Sequence, residues 1–225
     1  MFESYSSPEI QARLEAYYPQ VTERRRTLME NVVSHRTRHF CMVLEDLFDP
    51  HNISAVIRTA EVFGLQDVHV IEEENPYCVN KSILKGSFKW MTLTLYKKRM
   101  DCMNRLREKG YRIAVASTNT NNSVLDLDLS QPTAFYLGSE FHGNHPDTLA
   151  AADCEFKLPQ YGITESMNVS VAGGVLMTYL DLFMQKKGRD FYALPQKEKE
   201  LLLLDWYDRH MNGIDQNNPI TRIGG

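Results

Sequence analysis

No stretch of this chain is apolar for long enough to cross a bilayer. The longest mostly apolar run, Val169 to Met184, is shorter than the roughly 20 residues a membrane helix needs, and Asp181 interrupts it. The opening MFESYSSPEI lacks the basic-then-apolar order of a secretory leader. Cysteine is sparse: Cys41, Cys78, Cys102 and Cys154 stand far apart with no C-x-x-C pair. That spacing argues against a zinc site or a disulfide framework and suits a reducing compartment. No H-E-x-x-H or Cys/His cluster supports a metal. The glycine fingerprints G-x-G-x-x-G and G-x-x-x-x-G-K-[ST] are missing too, which counts against a dinucleotide-dependent dehydrogenase and a P-loop enzyme. Ser166 has no G-x-S-x-G elbow around it, so an esterase nucleophile is not expected there. The triplets NIS, NNS and NVS match the glycosylation sequon, and without a leader they read as chance matches. The expectation is a cytoplasmic protein without membrane or metal.

What is present supports a packed fold. The chain has 225 residues, 43% of them hydrophobic, enough for one large domain or one domain with extensions. The net charge of −4 does not by itself point to nucleic acid, but the charge is segregated. Lys81 to Arg112 holds ten Lys/Arg against Asp101 and Glu108, and Arg24, Arg25, Arg26, Arg36 and Arg38 cluster near the N-terminus. Asn121 to Phe156 has six acids and no Lys or Arg. Such a chain can present a basic face to a polyanion, or these can be ordinary solvated helix faces.

Periodicity places the elements. A helix opens at Ser7-Pro8 and stops near Pro19, and a second starts at Thr22. FCMVLED is a short apolar strand, and ISAVIRTAEVF is a helix capped by Asn52 and closed by Gly64. DVHVIE, MTLTLY, YRIAVAS, TAFYLG and CEFKLP read as strands. Helices lie between several of them: MDCMNRLREKG and PDTLAAA before Met167 to Lys187, which Gly188 closes. PQKEKELLLLDWYDRH is one more helix, and the tail QNNPITRIGG looks flexible. Strands alternating with helices imply an α/β fold with a mostly parallel sheet covered on both faces. The central domain is expected over residues 40–187, with helical extensions over 1–39 and 188–225.

Ligands in such sheets sit at the carboxyl ends of strands. Three segments fall there: DPHN with its helix, GSEFHGN, and YGITESMNVSVAGG. Arg58 shares a helix with Ile53, Val56, Ile57 and Ala60. It either snorkels to the surface or reaches a phosphate from the helix flank. Gly138 ends an apolar strand, where glycine lets a ligand approach the backbone. Glu140 either accepts hydrogen bonds from a ligand or braces the loop. His51, His142 and His145 read as surface residues rather than bases. These spacings alone stop at an α/β enzyme with no ligand assigned.

Three motifs in order carry the reading further. NISAVIRTAEVFGL resembles N-x-x-A-x-x-R-T-A followed by glycine, FYLGSEFHG resembles G-x-E-x-x-G after an apolar strand, and LPQYGITESMNVSVAGG resembles S-[LM]-N-V-S-x-A after a proline-glycine turn. KGSFKW resembles a family segment between the first two. Over about Phe40 to Lys187 the chain is similar to the TrmH (SpoU) branch of the SPOUT superfamily, the knotted RNA 2′-O-methyltransferases. Gln160 and Tyr161 stand where Met follows the proline in the family, Glu165 where glutamine is common, Met167 for leucine, and Asn144-His145 for an apolar and a hydroxyl residue.

The resemblance implies an α/β fold with a C-terminal trefoil knot, a rare exception to unknotted chains. It implies S-adenosylmethionine as cofactor, held largely by backbone groups of loops near Ala116–Ser117, at Gly138, and from Leu158 through Ile163 to Met167. The cofactor carries no phosphate, which accounts for the missing fingerprints. The implied reaction moves a methyl to a ribose 2′-hydroxyl. Arg58 acts there as the base or as a cation stabilising alkoxide and phosphate, and Asn52, Glu140, Ser166 and Asn168 orient the reacting groups. The resemblance also implies a homodimer whose sites draw on both subunits. The terminal helices resemble the extensions of tRNA-modifying members, so the implied substrate is the D-loop guanosine (position 18) of tRNA. A ribosomal RNA 2′-O-methyltransferase is the nearest alternative, and a non-catalytic RNA-binding homologue is the alternative from another class.

Overall fold

The computed structural model describes residues 5–78, 86–212 and 220–223. The strands are β1 (Phe40–Glu45), β2 (Asp67–Ile71), β3 (Thr92–Tyr96), β4 (Arg112–Ala116), β5 (Thr133–Leu137), β6 (Cys154–Phe156) and β7 (Ile220–Ile223). The helices are α1 (Ser7–Tyr17), α2 (Glu23–Ser34), α3 (Pro50–Val62), α4 (Arg99–Glu108), α5 (Pro146–Ala150), α6 (Val169–Lys187) and α7 (Gln196–Met211). All described strands run parallel in one sheet of order β6-β4-β5-β1-β2-β3-β7.

Strand β1 is buried along its whole length because helices cover both faces. Phe40, Met42 and Leu44 point to one face and pack with Val56 and Ile57 of α3 and Leu176 and Leu180 of α6. Cys41 and Val43 point to the other and pack with Cys102, Met103 and Leu106 of α4. A third cluster joins the chain's two ends: Ile10 and Leu14 of α1, Met29 and Val33 of α2, and Leu203, Trp206 and Tyr207 of α7. The connectivity reverses beside β1, with β2 on one side and β5 on the other. Their carboxyl ends therefore open a crevice where loops diverge.

Several local expectations shift. Helix α3 starts at Pro50, with the Asp49 carboxylate accepting from the His51 N–H at 2.8 Å, so Asn52 is not the cap but lies inside the helix. Helix α6 starts at Val169, two residues later than expected. In the tail, residues 220–223 pair in parallel with β3 through Leu93↔Ile220 to Tyr96↔Ile223, a strand where flexibility was expected. Lys85 of KGSFKW, with Lys81, lies outside the described residues, and Ser87–Trp90 form a 3-10 turn. The basic face also loses members to the interior. Arg36 is fully buried, 2.6 Å from Glu61 and over the Trp206 ring. Arg38 bridges Asp67 and Glu198, and Arg99 is buried among Glu45, Asp46, Glu73 and Glu74. Arg24 and Arg25 stay exposed on α2. Among the described residues no helix is long and apolar enough to cross a membrane, and no group of three or more His, Cys, Asp and Glu is placed to hold a metal ion.

One buried histidine gives the fold a pH dependence. His69 on β2 is 2% exposed, its Nδ1 lies 3.2 Å from the Tyr96 hydroxyl, and burial pushes its pKa down to about 4. An unfolded histidine takes a proton near pH 6.5. Acidification from there toward pH 4 therefore favours the unfolded chain, and His69 contributes its full stability only above that window. The loss across it is on the order of 3 kcal/mol. Urea titrations at several pH values should show the parent losing this increment while His69→Gln, which keeps a hydrogen-bonding side chain, loses less. Parallel profiles would count against the assignment.

Candidate active site

The site is assembled at the carboxyl ends of β1, β4, β5 and β6. After β5, Gly138 turns the chain into a closed loop in which Ser139 and Gly143 exchange two backbone hydrogen bonds of 2.9–3.0 Å. A Cβ on Gly138 would lie 2.1 Å from the Asn144 nitrogen and the Gly143 carbonyl carbon. Glycine is thus required by the chain's own return, whatever ligand also approaches the backbone there. The loop turns Glu140 toward α3, where its carboxylate accepts from the Asn52 amide at 2.6 Å and from the Phe48 N–H at 3.3 Å.

Asn52 can make that bond because Asp49 has taken over the cap. Its remaining oxygen accepts from the Asn168 amide at 3.1 Å. Asn168 is itself the N-cap of α6, accepting from the Ser170 N–H at 2.9 Å and the Ser170 hydroxyl at 2.6 Å. One hydrogen-bonded chain, Asn168 to Asn52 to Glu140, therefore ties together the three sequence motifs. Ser166 and Arg58 are not part of it. Ser166 lies on the exposed loop before α6. Arg58 is exposed on the flank of α3, where it borders a groove with Arg25 and Glu61.

Three loops meet beside this chain because β6, β4 and β5 are neighbours in the sheet. Ala116 ends β4 and Ser117 donates its N–H to the Phe156 carbonyl at 2.9 Å. Leu158 is buried, and Met167 is half-buried against the main core. Ile163 and Tyr161 are instead fully exposed on the loop between them. Asn144 departs from the family pattern. The structure buries it, with its amide donating to the Ala116 carbonyl at 2.8 Å and its Oδ1 lacking a partner. Its signal in the sequence was a polar residue where an apolar one is usual. Behind the loop, Glu45 accepts from the Thr148 hydroxyl at 2.6 Å and the His145 N–H at 3.3 Å, and burial raises its pKa. These bonds anchor the start of α5 and with it the far end of the 138–145 loop.

The profile of the SpoU rRNA Methylase family matches residues 39–178, more than half of the sequence. The chain belongs to the SpoU methylase family. Among curated members it is 38% identical over 188 residues to the tRNA (guanosine(18)-2′-O)-methyltransferase of Borreliella burgdorferi, covering 83% of this chain and 86% of that one. It is 30% identical over 189 residues to the Thermus thermophilus enzyme of the same name, covering 82% and 96%. Among solved structures, the Aquifex aeolicus TrmH/SpoU tRNA modifying enzyme superposes with a TM-score of 0.76 at 23% identity, over 84% of this chain and 98% of that one. The SpoU methyltransferase AviRb from Streptomyces viridochromogenes, solved with AdoMet, superposes with a TM-score of 0.61 at 18% identity, over 68% and 63%. At these identities the two structures show the shared SpoU fold: an α/β architecture around a parallel sheet.

Proposed function

We propose that the chain transfers a methyl group from S-adenosylmethionine to a ribose 2′-hydroxyl of RNA, namely the D-loop guanosine (position 18) of tRNA. The hydrogen-bonded chain from Asn168 through Asn52 to Glu140 carries the reading, because it joins one residue from each family motif into one polar constellation. The relatives named for guanosine-18 methylation support the tRNA assignment, since this chain spans 86% and 96% of their lengths. The family description favours ribosomal RNA as the second reading.

The three loops fit S-adenosylmethionine. They offer backbone groups and apolar side chains rather than a phosphate cradle, and the buried Asn144 Oδ1 has no partner in the protein. Ala116, Ser117, Gly138, Leu158, Ile163 and Met167 are the proposed holding residues, with the 159–166 loop folding inward to cover Ile163. The loops after β4, β5 and β6 form the proposed trefoil knot. When bound, the cofactor supplies a methyl already activated on sulfonium. The protein's task is then the nucleophile, a hydroxyl that must lose a proton as it attacks in line. A guanidinium with pKa above about 12 is a poor base. In our reading Arg58 stabilises the developing alkoxide and anchors a phosphate. Each Glu140 oxygen holds one hydrogen bond from the protein and keeps lone-pair capacity for the ribose. Ser166 and Asn168 orient the ribose from the start of α6.

A homodimer completes this reading. On α6, Val171, Val175 and Leu182 form one stripe, 53%, 45% and 57% exposed, on a face that a second subunit would cover. The terminal segments 1–39 and 188–225 are the proposed RNA-handling extensions of the 40–187 domain, and the cytoplasm is the proposed compartment. The test is calorimetric titration with S-adenosylmethionine, then methyl transfer to total RNA with the modified nucleoside mapped. Binding and 2′-O-methylguanosine in the tRNA D-loop are expected. Absence of cofactor binding would favour a non-catalytic RNA-binding protein, base methylation would overturn the reaction, and incorporation into ribosomal RNA alone would move the assignment to the second reading.

A further inference from the structure

A groove beside Arg58 has the makings of a ligand site of its own. It encloses about 330 Å³ and is lined by residues of α2, α3, the 3-10 turn 87–90 and α7. Arg25 and Arg58 border it, and Glu61, which also lines it, is engaged by the buried Arg36 at 2.6 Å. The balance of charge in the groove is therefore positive. Val62, 72% exposed, and Trp90 supply apolar walls. Ser87, 8% exposed, and the fully buried Trp206 also line it, and neither the Ser87 hydroxyl nor the Trp206 Nε1 has a hydrogen-bond partner among the described residues.

Unsatisfied buried polar groups are costly, and native structures rarely keep them without a reason. A positive rim, apolar walls and an unpartnered Ser87 hydroxyl match a flat, acceptor-rich anion. We propose that this groove holds a nucleotide of the RNA adjacent to the target ribose. Its phosphate lies on Arg25 and Arg58, its base packs on Val62 and Trp90, and an acceptor on the base faces the Ser87 hydroxyl. The inference rests on the RNA methyltransferase reading. It makes α2 of the N-terminal extension part of the substrate path, so that register along the RNA is set a short distance from the reacting hydroxyl.

The test uses the full chain and a tRNA transcript bearing the D-loop guanosine, with salt-dependent filter binding and steady-state methyl transfer. Arg25→Ala should raise KM for tRNA about tenfold with kcat within about twofold, and lower the salt slope of binding by about one. Val62→Trp, which fills the groove from its exposed rim, should raise KM by about tenfold or more. Ser87→Ala should raise KM about threefold without lowering Tm, because no hydrogen bond within the protein is lost. Affinity for S-adenosylmethionine should hold in all three. Arg25→Ala and Val62→Trp with the parent's KM and salt slope would overturn the groove. A parent that moves no methyl to any RNA would overturn the reaction instead, and the salt slopes of tRNA binding would still decide the groove.

Discussion

Arg58→Ala should slow methyl transfer about a thousandfold while leaving S-adenosylmethionine binding intact, as expected for loss of a group that stabilises charge in the transition state. The side chain is exposed on the flank of α3 and stands outside the Asn168–Asn52–Glu140 chain. The helix is anchored by Ile53, Val56, Ile57 and Ala60 in the core, and urea unfolding of the variant checks that the fold is kept. Single-turnover transfer to tRNA isolates the chemical step, and calorimetry reads cofactor binding separately. Arg58→Lys divides the two roles. A cation that stabilises alkoxide and phosphate is partly replaced by an ammonium, whereas a base acting through the guanidinium's fixed geometry is not. Retention of a measurable fraction of the rate by the lysine variant is expected. A rate for Arg58→Ala within tenfold of the parent would remove Arg58 from the chemistry.

Gly138→Ala should have the largest effect of any single methyl group added near the site. A Cβ there would lie 2.1 Å from the backbone of Gly143 and Asn144, and backbone cannot rotate aside as a side-chain tip can. The 139–144 loop must move by more than an ångström. That motion pulls Glu140 from Asn52 and Asn144 from the Ala116 carbonyl, which now sit at 2.6 and 2.8 Å. Overpacking of this kind costs about 3 kcal/mol, and the loss of two loop contacts adds to it. Urea unfolding should show the destabilisation, and cofactor affinity should fall with it. A variant with the parent's midpoint and affinity would mean that the loop relaxes freely.

Much of this fold was legible because its signals are local. Apolar strands such as FCMVLE and the Gly188 close of a long helix need only neighbouring residues to be read. What escaped depends on distant partners. Asn52 looked like a cap because Asx residues favour that place, but Asp49, three residues earlier, competes for it and wins. Arg36 looked like surface charge until Glu61 and Trp206, far away in sequence, were brought to it. The tail's ITRI is too short and too polar in its surroundings to announce a strand, and only the open edge of β3 gives it a role. At the site, the motifs supplied residue types. Their connection through Asn52 and the burial of Asn144 follow from strand order, which no local pattern contains.

That short terminal strand bears on how the protein behaves at high concentration. Without it, β3 would be the outermost strand, with five residues of parallel backbone offering unpaired N–H and C=O groups to any other chain. An exposed flat edge of that kind is a template for edge-to-edge aggregation. With it, the sheet ends on four residues at one side and three at the other, both too short to recruit a stranger's strand well. Residues 220–223 thus cover the edge of β3, and a chain shortened before Ile220 is expected to precipitate at lower concentration than the parent in a solubility assay.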